Sequence, residues 1–295
     1  MGSLGNTETV GWRVLDDCRP VADAITRPAA MVGSGTVDAY QSDGIVVLPS
    51  AFDEWVEPLR AGLDRNAARP HDYAFPSEST RPDEPGRFFD SYCNWQRIPE
   101  YFAFVMTSKA ASMAAVLMQS QSAQFFHEHA FVKAPGTQKP TPWHQDLPYY
   151  CVDGRQTVSL YVALDHIAAE VAPRFWRGSH TGALHYPRAF VDGANYATDA
   201  ADLSPVPDVE AIAPSDEVVA VDLKPGDTLA FDFRTLHGSS ASTVTTERRA
   251  FSTRWLGDDV TFLDRPGETS PPISGHGLAN GDRMREDWFP VLWPS

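Results

Sequence analysis

Cysteine is scarce: Cys18, Cys93 and Cys151 are the only three in 295 residues. Three scattered thiols exclude a disulfide framework and a thiolate zinc cluster, and they suit a reducing, cytoplasmic setting. Long apolar runs are missing as well. No segment approaches the roughly twenty apolar residues of a membrane helix, and the start, Met1-Gly-Ser-Leu-Gly-Asn-Thr-Glu8, has neither the basic nor the apolar region of a leader. Positive charge is in deficit, with 24 Lys and Arg against 39 Asp and Glu, a formal net charge of -15. That balance repels nucleic acid and anionic membrane and leaves a small molecule as the expected partner. No repeat period and no low-complexity linker occurs, so one domain is expected over residues 1–295.

What is present changes character along the chain. Residues 1–37 are rich in Gly, Pro and Ala and read as an irregular segment draped over the core. Gly44-Ile-Val-Val-Leu-Pro49 is short and apolar, as a buried strand is. Phe52, Trp55, Val56, Leu59 and Leu63 fall at helical spacing, with Ser50 and Asp53 in capping-box positions and Pro58 marking either a kink or a later start. Residues 69–89, dense in Pro, Asp, Glu and Arg, read as a long loop, either with a role in substrate access or disordered. Ala110 to Met118 predicts a second helix beginning near Ser108. From Gln124 onward, strands alternate with turns at Pro135-Gly136, Asp153-Gly154 and Pro225-Gly226-Asp227. Helices first and strands afterwards predict a mainly β fold, a jelly roll or double-stranded β-helix over residues 124–259, buttressed by the N-terminal helices. In such a barrel His127, His129, Phe131 and Lys133 share one face, either lining the pocket or forming an outward polar face.

The chemistry is carried by His144 and Asp146, which period-two alternation places on one face of a strand. His237 follows in Leu229-Ala-Phe-Asp-Phe-Arg-Thr-Leu-His237-Gly-Ser-Ser, read as a strand ending in a turn. Two His and one carboxylate suit a facial Fe(II) site with open positions, and also Zn(II) with an activated water, as in a hydrolase. A metal-free jelly-roll binding protein is the third reading. Arg248 is expected on a strand antiparallel to the histidine strand, where its guanidinium can grip a carboxylate bidentately; Arg249 points to the opposite face. Arg254 shares the face of Arg248 and is expected in a structural salt bridge.

With Lys133-Ala-Pro-Gly, Trp143-His-Gln-Asp146, Tyr161-Val-Ala-Leu-Asp165, Gly178-Ser-His180, His237-Gly-Ser239, Arg248-Arg-Ala-Phe-Ser and Arg254-Trp-Leu-Gly-Asp-Asp259 in order, the chain resembles the phytanoyl-CoA dioxygenase family of Fe(II)/2-oxoglutarate-dependent oxygenases. The resemblance runs from about Tyr40 to the C-terminus. It implies that His144, Asp146 and His237 bind iron, that Arg248 clamps the distal carboxylate of 2-oxoglutarate with Ser239, and that Tyr161 borders that cosubstrate. O2 is the other cosubstrate, and the expected reaction is hydroxylation or a related oxidation of a small organic metabolite, such as a natural-product intermediate. Halogenating relatives lack the carboxylate, so Asp146 argues against halogenation. The sequence departs from the family at Glu170-Val171-Ala172-Pro173, where an acidic-Asn-Gly turn is usual, and at Arg177, where proline is usual. His180 is expected to be structural or to orient a ligand.

Overall fold

Alternation along the longest strands assigns two chemically different faces to one sheet. The structure, a computed structural model, describes residues 27–78, 85–190, 193–196, 202–267 and 269–294. Cys18 and most of the expected irregular N-terminal segment lie outside the described residues. The main sheet is antiparallel and eight-stranded, ordered β1 (Ile45–Leu48), β12 (Thr228–Phe231), β7 (Thr157–Ala163), β14 (Arg248–Leu256), β4 (Ala123–Lys133), β3 (Phe88–Tyr92) and β2 (Pro76–Glu78), with β16 (Val291–Trp293) pairing the start of β4. A four-stranded sheet of β11 (Val218–Val219), β8 (Arg174–Trp176), β13 (His237–Ser239) and β5 (Thr141–His144) faces it. Two short ladders, β9 (Leu184–His185) with β10 (Leu203–Ser204) and β6 (Val152–Asp153) with β15 (Thr261–Phe262), flank this jelly roll.

On β14, Phe251 and Trp255 leave one face, while Arg248, Ser252 and Arg254 leave the other and line a cavity. On β4, Ala130 and Val132 join the first face and His127, His129, Phe131 and Lys133 the second. The register shifts between Arg254 and Trp255, where Phe126 is left without a partner on β14. Such a bulge re-aims side chains next to a site, and here both Phe126 and His127 turn inward.

Four helices cover the outer, apolar face: α1 (Ser34–Asp43), α2 (Val56–Ala68), α3 (Pro99–Thr107) and α4 (Ala110–Met118); α5 (Val209–Ile212) is a single turn. The helix expected from Ser108 is α4, whose Ala110 amide donates to Ser108 Oγ at 3.2 Å. Among the described residues no single helix is long and apolar enough to cross a membrane; α3 and α4 pass that test only as a pair bent by 49°. Burial accounts for their composition, since seven of the first eight α4 residues and Met118 are core.

Three expectations are corrected. Residues 34–43 are helical, because Val37 and Tyr40 seat one face and Gly44, at φ 72°, ends the helix in the left-handed region. Ser50 forms no capping box: its amide donates to Asp227 Oδ1 at 2.8 Å, and Asp53–Trp55 makes a 3-10 turn before α2 begins at Val56. Pro58 thus lies in the first turn, where it removes no hydrogen bond. Gly226 meets the same turn, at φ 90° and with space for no side chain, since a Cβ there would lie 2.0 Å from Asp53 Oδ1. Residues 69–89 are not one loop. They contain the Pro70–Asp72 3-10 turn, β2 and the start of β3, with residues 79–84 outside the described set.

Glu128 points from β4 into the helix side, fully buried, with its Oε1 accepting the Asn94 amide and its Oε2 without a partner among the described residues. Burial raises its pKa to about 7 against an ordinary 4.5. Between those two pH values the folded protein keeps a proton that the unfolded chain has lost, so stability falls as pH rises through this window. Glu128→Gln is expected to be near neutral at pH 4.5 and to stabilise by up to about 3 kcal/mol above pH 7. Thermal melts of both proteins from pH 4.5 to 8 check this; parallel profiles would refute it.

Candidate metal centre

His144 ends β5 and His237 opens β13; they are direct partners in the ladder, with ring centroids 4.1 Å apart. The sequence segment before His237 is therefore two strands in two sheets, β12 and β13, and the turn precedes the histidine. Asp146 is not on the strand. Its backbone is already helical (φ -73°, ψ -41°) and starts the 3-10 turn Leu147–Tyr149, so a curl of the chain, not strand alternation, aims the carboxylate. Gln145 pins that curl: its amide donates to the carbonyls of Ala183 (3.1 Å) and Arg234 (2.7 Å) and accepts the His185 N–H at 2.9 Å. Asp146 Oδ1 consequently lies 3.7 Å from Nε2 of both histidines, and one ligand atom of each residue lies within 4.8 Å of the others.

The tautomers follow from the backbone. His144 Nδ1 lies 2.8 Å from the Pro142 carbonyl and His237 Nδ1 2.9 Å from the Thr235 carbonyl. A carbonyl only accepts, so each Nδ1 carries the proton and each Nε2 presents a lone pair. Burial, then His237, lowers the His144 pKa to about 3, and burial lowers that of His237. Burial alone would raise Asp146, but His237, Arg254 and His144 reverse this and leave it below its ordinary value. Two neutral imidazoles and one carboxylate, converging from one side, fit a divalent transition metal with open positions.

Arg254 lies 3.7 Å from Asp146 Oδ2 and donates to Tyr150 Oη at 3.2 Å, the expected structural salt bridge; Ser159 Oγ donates to the same carboxylate oxygen at 3.2 Å.

Arg248 comes from the opposite wall. Its strand pairs with β4 and β7 and not with β13, because the chain crosses from the small sheet to the main sheet between Ser239 and Arg248. Its Nη2 donates to Tyr161 Oη at 3.1 Å and its Nη1 to the Val171 carbonyl. Val171 lies in the segment that departs from the family pattern; a 3-10 turn over Ala169–Val171 followed by extended Ala172 needs no positive φ, so Val and Ala are tolerated. Ser239 Oγ accepts the Thr141 amide at 2.9 Å. Lys133 is the register partner of Arg248; burial and that neighbour lower its pKa to about 7. Arg249 faces outward and holds Asp165 with two 2.9 Å contacts. His180 is structural: its Nε2 lies 3.2 Å from the Gln41 carbonyl, and its ring packs on Gly44.

His144, Asp146, His237, Arg248, Ser239 and Tyr161 all line one cavity of about 860 Å³. The sequence reading missed several of its walls, among them Asp90, Tyr92, Phe190 and Tyr196. Phe190 lies edge-on to the His144 ring at 4.7 Å and is 40% exposed, at the mouth.

The sequence matches the phytanoyl-CoA dioxygenase (PhyH) family over residues 40–250. None of the curated proteins matches it. Among solved structures, the non-heme alpha ketoglutarate dependent carbocyclase SnoK from nogalamycin biosynthesis is similar, with TM-score 0.67 and 21% identity over 88% of this chain and 96% of that one. The epimerase SnoN, in complex with Fe3+, alpha ketoglutarate and nogalamycin RO, gives TM-score 0.67 and 19% identity over 88% and 97%. EvdO2 from Micromonospora carbonacea var. aurantiaca, complexed with 2-oxoglutarate, gives 0.57 and 21% over 84% and 99%. At these identities the likeness establishes the shared fold.

Proposed function

This chain belongs to the phytanoyl-CoA dioxygenase family, and on that premise we propose that it is an Fe(II)- and 2-oxoglutarate-dependent oxygenase that hydroxylates a C–H bond of a small natural-product intermediate. The observation that carries the reading is the convergence of His144, Asp146 and His237 in a cavity whose opposite wall supplies Arg248. In this reading the first three hold the metal, residues 1–295 act as one domain, and Asp146 takes the position that a halide would need. When bound, the Fe(II) centre supplies, with 2-oxoglutarate and O2, the oxidising power for C–H attack, and succinate and CO2 are released.

The protein binds, orients and excludes water. The planar fork of donors on Arg248 suits the distal carboxylate of 2-oxoglutarate. Tyr161 accepts from Arg248, which leaves its own O–H to donate onward. Ser239 accepts from the Thr141 amide, which likewise frees its hydroxyl proton. The zinc-hydrolase alternative uses the same three ligands but leaves Arg248 without a task.

Anaerobic Fe(II) protein is expected to develop a visible absorption band on addition of 2-oxoglutarate, and to form succinate when air is admitted. Absence of both, with zinc held tightly, would overturn the reading in favour of the hydrolase. Arg248→Ala is expected to weaken 2-oxoglutarate roughly 10- to 150-fold, the equivalent of about 1.5–3 kcal/mol for a hydrogen-bonded charge. An unchanged 2-oxoglutarate titration would remove Arg248 from the clamp.

A further inference from the structure

We propose that the Asp90–His129 pair is the substrate-recognition element of this cavity, selecting a neutral ring-shaped molecule through a hydroxyl that donates to His129 Nδ1. Calling that molecule the substrate rests on the oxygenase reading; the recognition itself does not.

His129 lines the cavity from β4, with 17% of its side chain exposed. Its Nε2 lies 2.8 Å from Oδ2 of Asp90 on the adjacent strand β3. Asp90 Oδ2 accepts, so Nε2 carries the proton and the Nδ1 lone pair is exposed. Nδ1 has no hydrogen-bond partner among the described residues. The ring is held in place by Phe131, 4.0 Å away at 31°, and Tyr92, 5.1 Å away at 55°. Burial outweighs the opposing effect of Asp90 and lowers the His129 pKa, so the imidazole is neutral.

An acceptor lone pair selects by what it refuses. A carboxylate, phosphate, ether or ketone oxygen offers it nothing, and each would leave a partly buried nitrogen unsatisfied. An ammonium could donate, but it would enter a cavity already lined by Arg248, Arg254 and Lys133. A hydroxyl satisfies the nitrogen without a charge.

The same wall repeats the message two residues away. His127 Nδ1 lies 3.2 Å from the Glu128 carbonyl, and its buried Nε2 has no partner among the described residues. Ser252, opposite His129 in the ladder, also has a hydroxyl with no partner among the described residues. Around these polar groups stand Tyr92, Phe131, Tyr149 and Phe190, whose faces suit a flat or cyclic body.

The test compares 2-naphthol with 2-methoxynaphthalene, which has the same rings and no donor, by calorimetric titration of the Fe(II)/2-oxoglutarate protein under argon and of the metal-free protein. The expected result is about tenfold tighter binding of 2-naphthol in both preparations, the effect of one hydrogen bond to an otherwise unsatisfied group. His129→Phe is expected to bring the ratio to near one while leaving 2-methoxynaphthalene affinity in place. Equal binding of the two probes by the parent protein, or a tenfold ratio retained in His129→Phe, would overturn the proposal. Nitrogen-15 spectra of the unmutated protein give a check that needs no variant. His129 is expected as the Nε2–H tautomer, with its Nδ1 signal moving on addition of 2-naphthol; an Nδ1–H tautomer would overturn the proposal. The absorption band of the Fe(II)/2-oxoglutarate protein is read separately, so failure of the oxygenase reading is distinguishable from failure of this one.

Discussion

Asp146→Ala is expected to weaken Fe(II) binding at least about 100-fold and to abolish succinate formation. Perturbing a residue behind a ligand already costs roughly 10- to 100-fold in metal affinity, and here the charged ligand itself is lost. A second injury comes from Arg254, buried and 3.7 Å from the same carboxylate. Without Asp146 its hydrogen-bond partners are the neutral Tyr150 hydroxyl and Ser252 carbonyl, and it faces the position of a divalent cation. Asp146→Ala should therefore be more damaging than His144→Ala, which removes a neutral donor and leaves the Asp146–Arg254 pair intact. Adding Arg254→Met to Asp146→Ala should recover part of the lost metal affinity. Anaerobic metal titrations of the four proteins, each checked for folding by its melt, decide the matter. Unchanged Fe(II) affinity in Asp146→Ala would dispose of the metal centre, and equal losses in the two single variants would remove Arg254 from the explanation.

Phe251→Ala is expected to destabilise the protein by roughly 3–5 kcal/mol. Phe251 is fully buried at the middle of β14, paired with Ala130 of β4 and Val162 of β7. Its ring meets Tyr101 at 4.5 Å and Phe104 at 5.6 Å, the two aromatic residues by which α3 sits on the sheet. Both neighbours are fully buried and held in helix backbone, so the space left by the ring cannot collapse. For a chain of this length the loss corresponds to a melting-point drop of roughly 5–15 °C. Phe251→Leu, which keeps most of the volume, should lose well under half as much. Calorimetry of both variants checks this; a drop below about 2 °C for the alanine variant would show that α3 does not rely on this contact.

The proposed metal ligands, which the structure brings together, were legible because their side-chain types are chemically specific, not because the local geometry was. His144 and Asp146 were paired as neighbours on a strand, yet the strand stops at His144 and a helical turn delivers the carboxylate. Arg248, the proposed clamp, was misplaced as a strand: nothing local to Ser239–Arg248 signals that the chain changes sheets there. Pairing of Arg248 with Lys133 is a long-range event, and propensity is silent about it. The jelly roll and α4 followed from pattern, whereas α1 did not, because only Val37 and Tyr40 of its ten residues are buried. Asp90 was hidden for a different reason. In Phe88-Phe89-Asp90-Ser91-Tyr92, Phe88 lines the cavity and Phe89 enters the core, so two adjacent apolar residues erase the alternation that marks a one-sided strand.

The residues read here as metal ligands all belong to the small sheet or the turn that follows β5, while Arg248, Tyr161 and His129 belong to the main sheet. The distance from the His144, Asp146 and His237 cluster to Arg248 is therefore a gap between two plates, set by the side chains wedged beside the cavity. Phe175, Leu229 and Phe231 wedge one end, and Phe126, Tyr150 and Phe233 the other. The bite of the site is thus adjustable through its spacers: a methylene gained or lost at a wedge changes the gap between the two plates with His144, Asp146, His237 and Arg248 left unchanged.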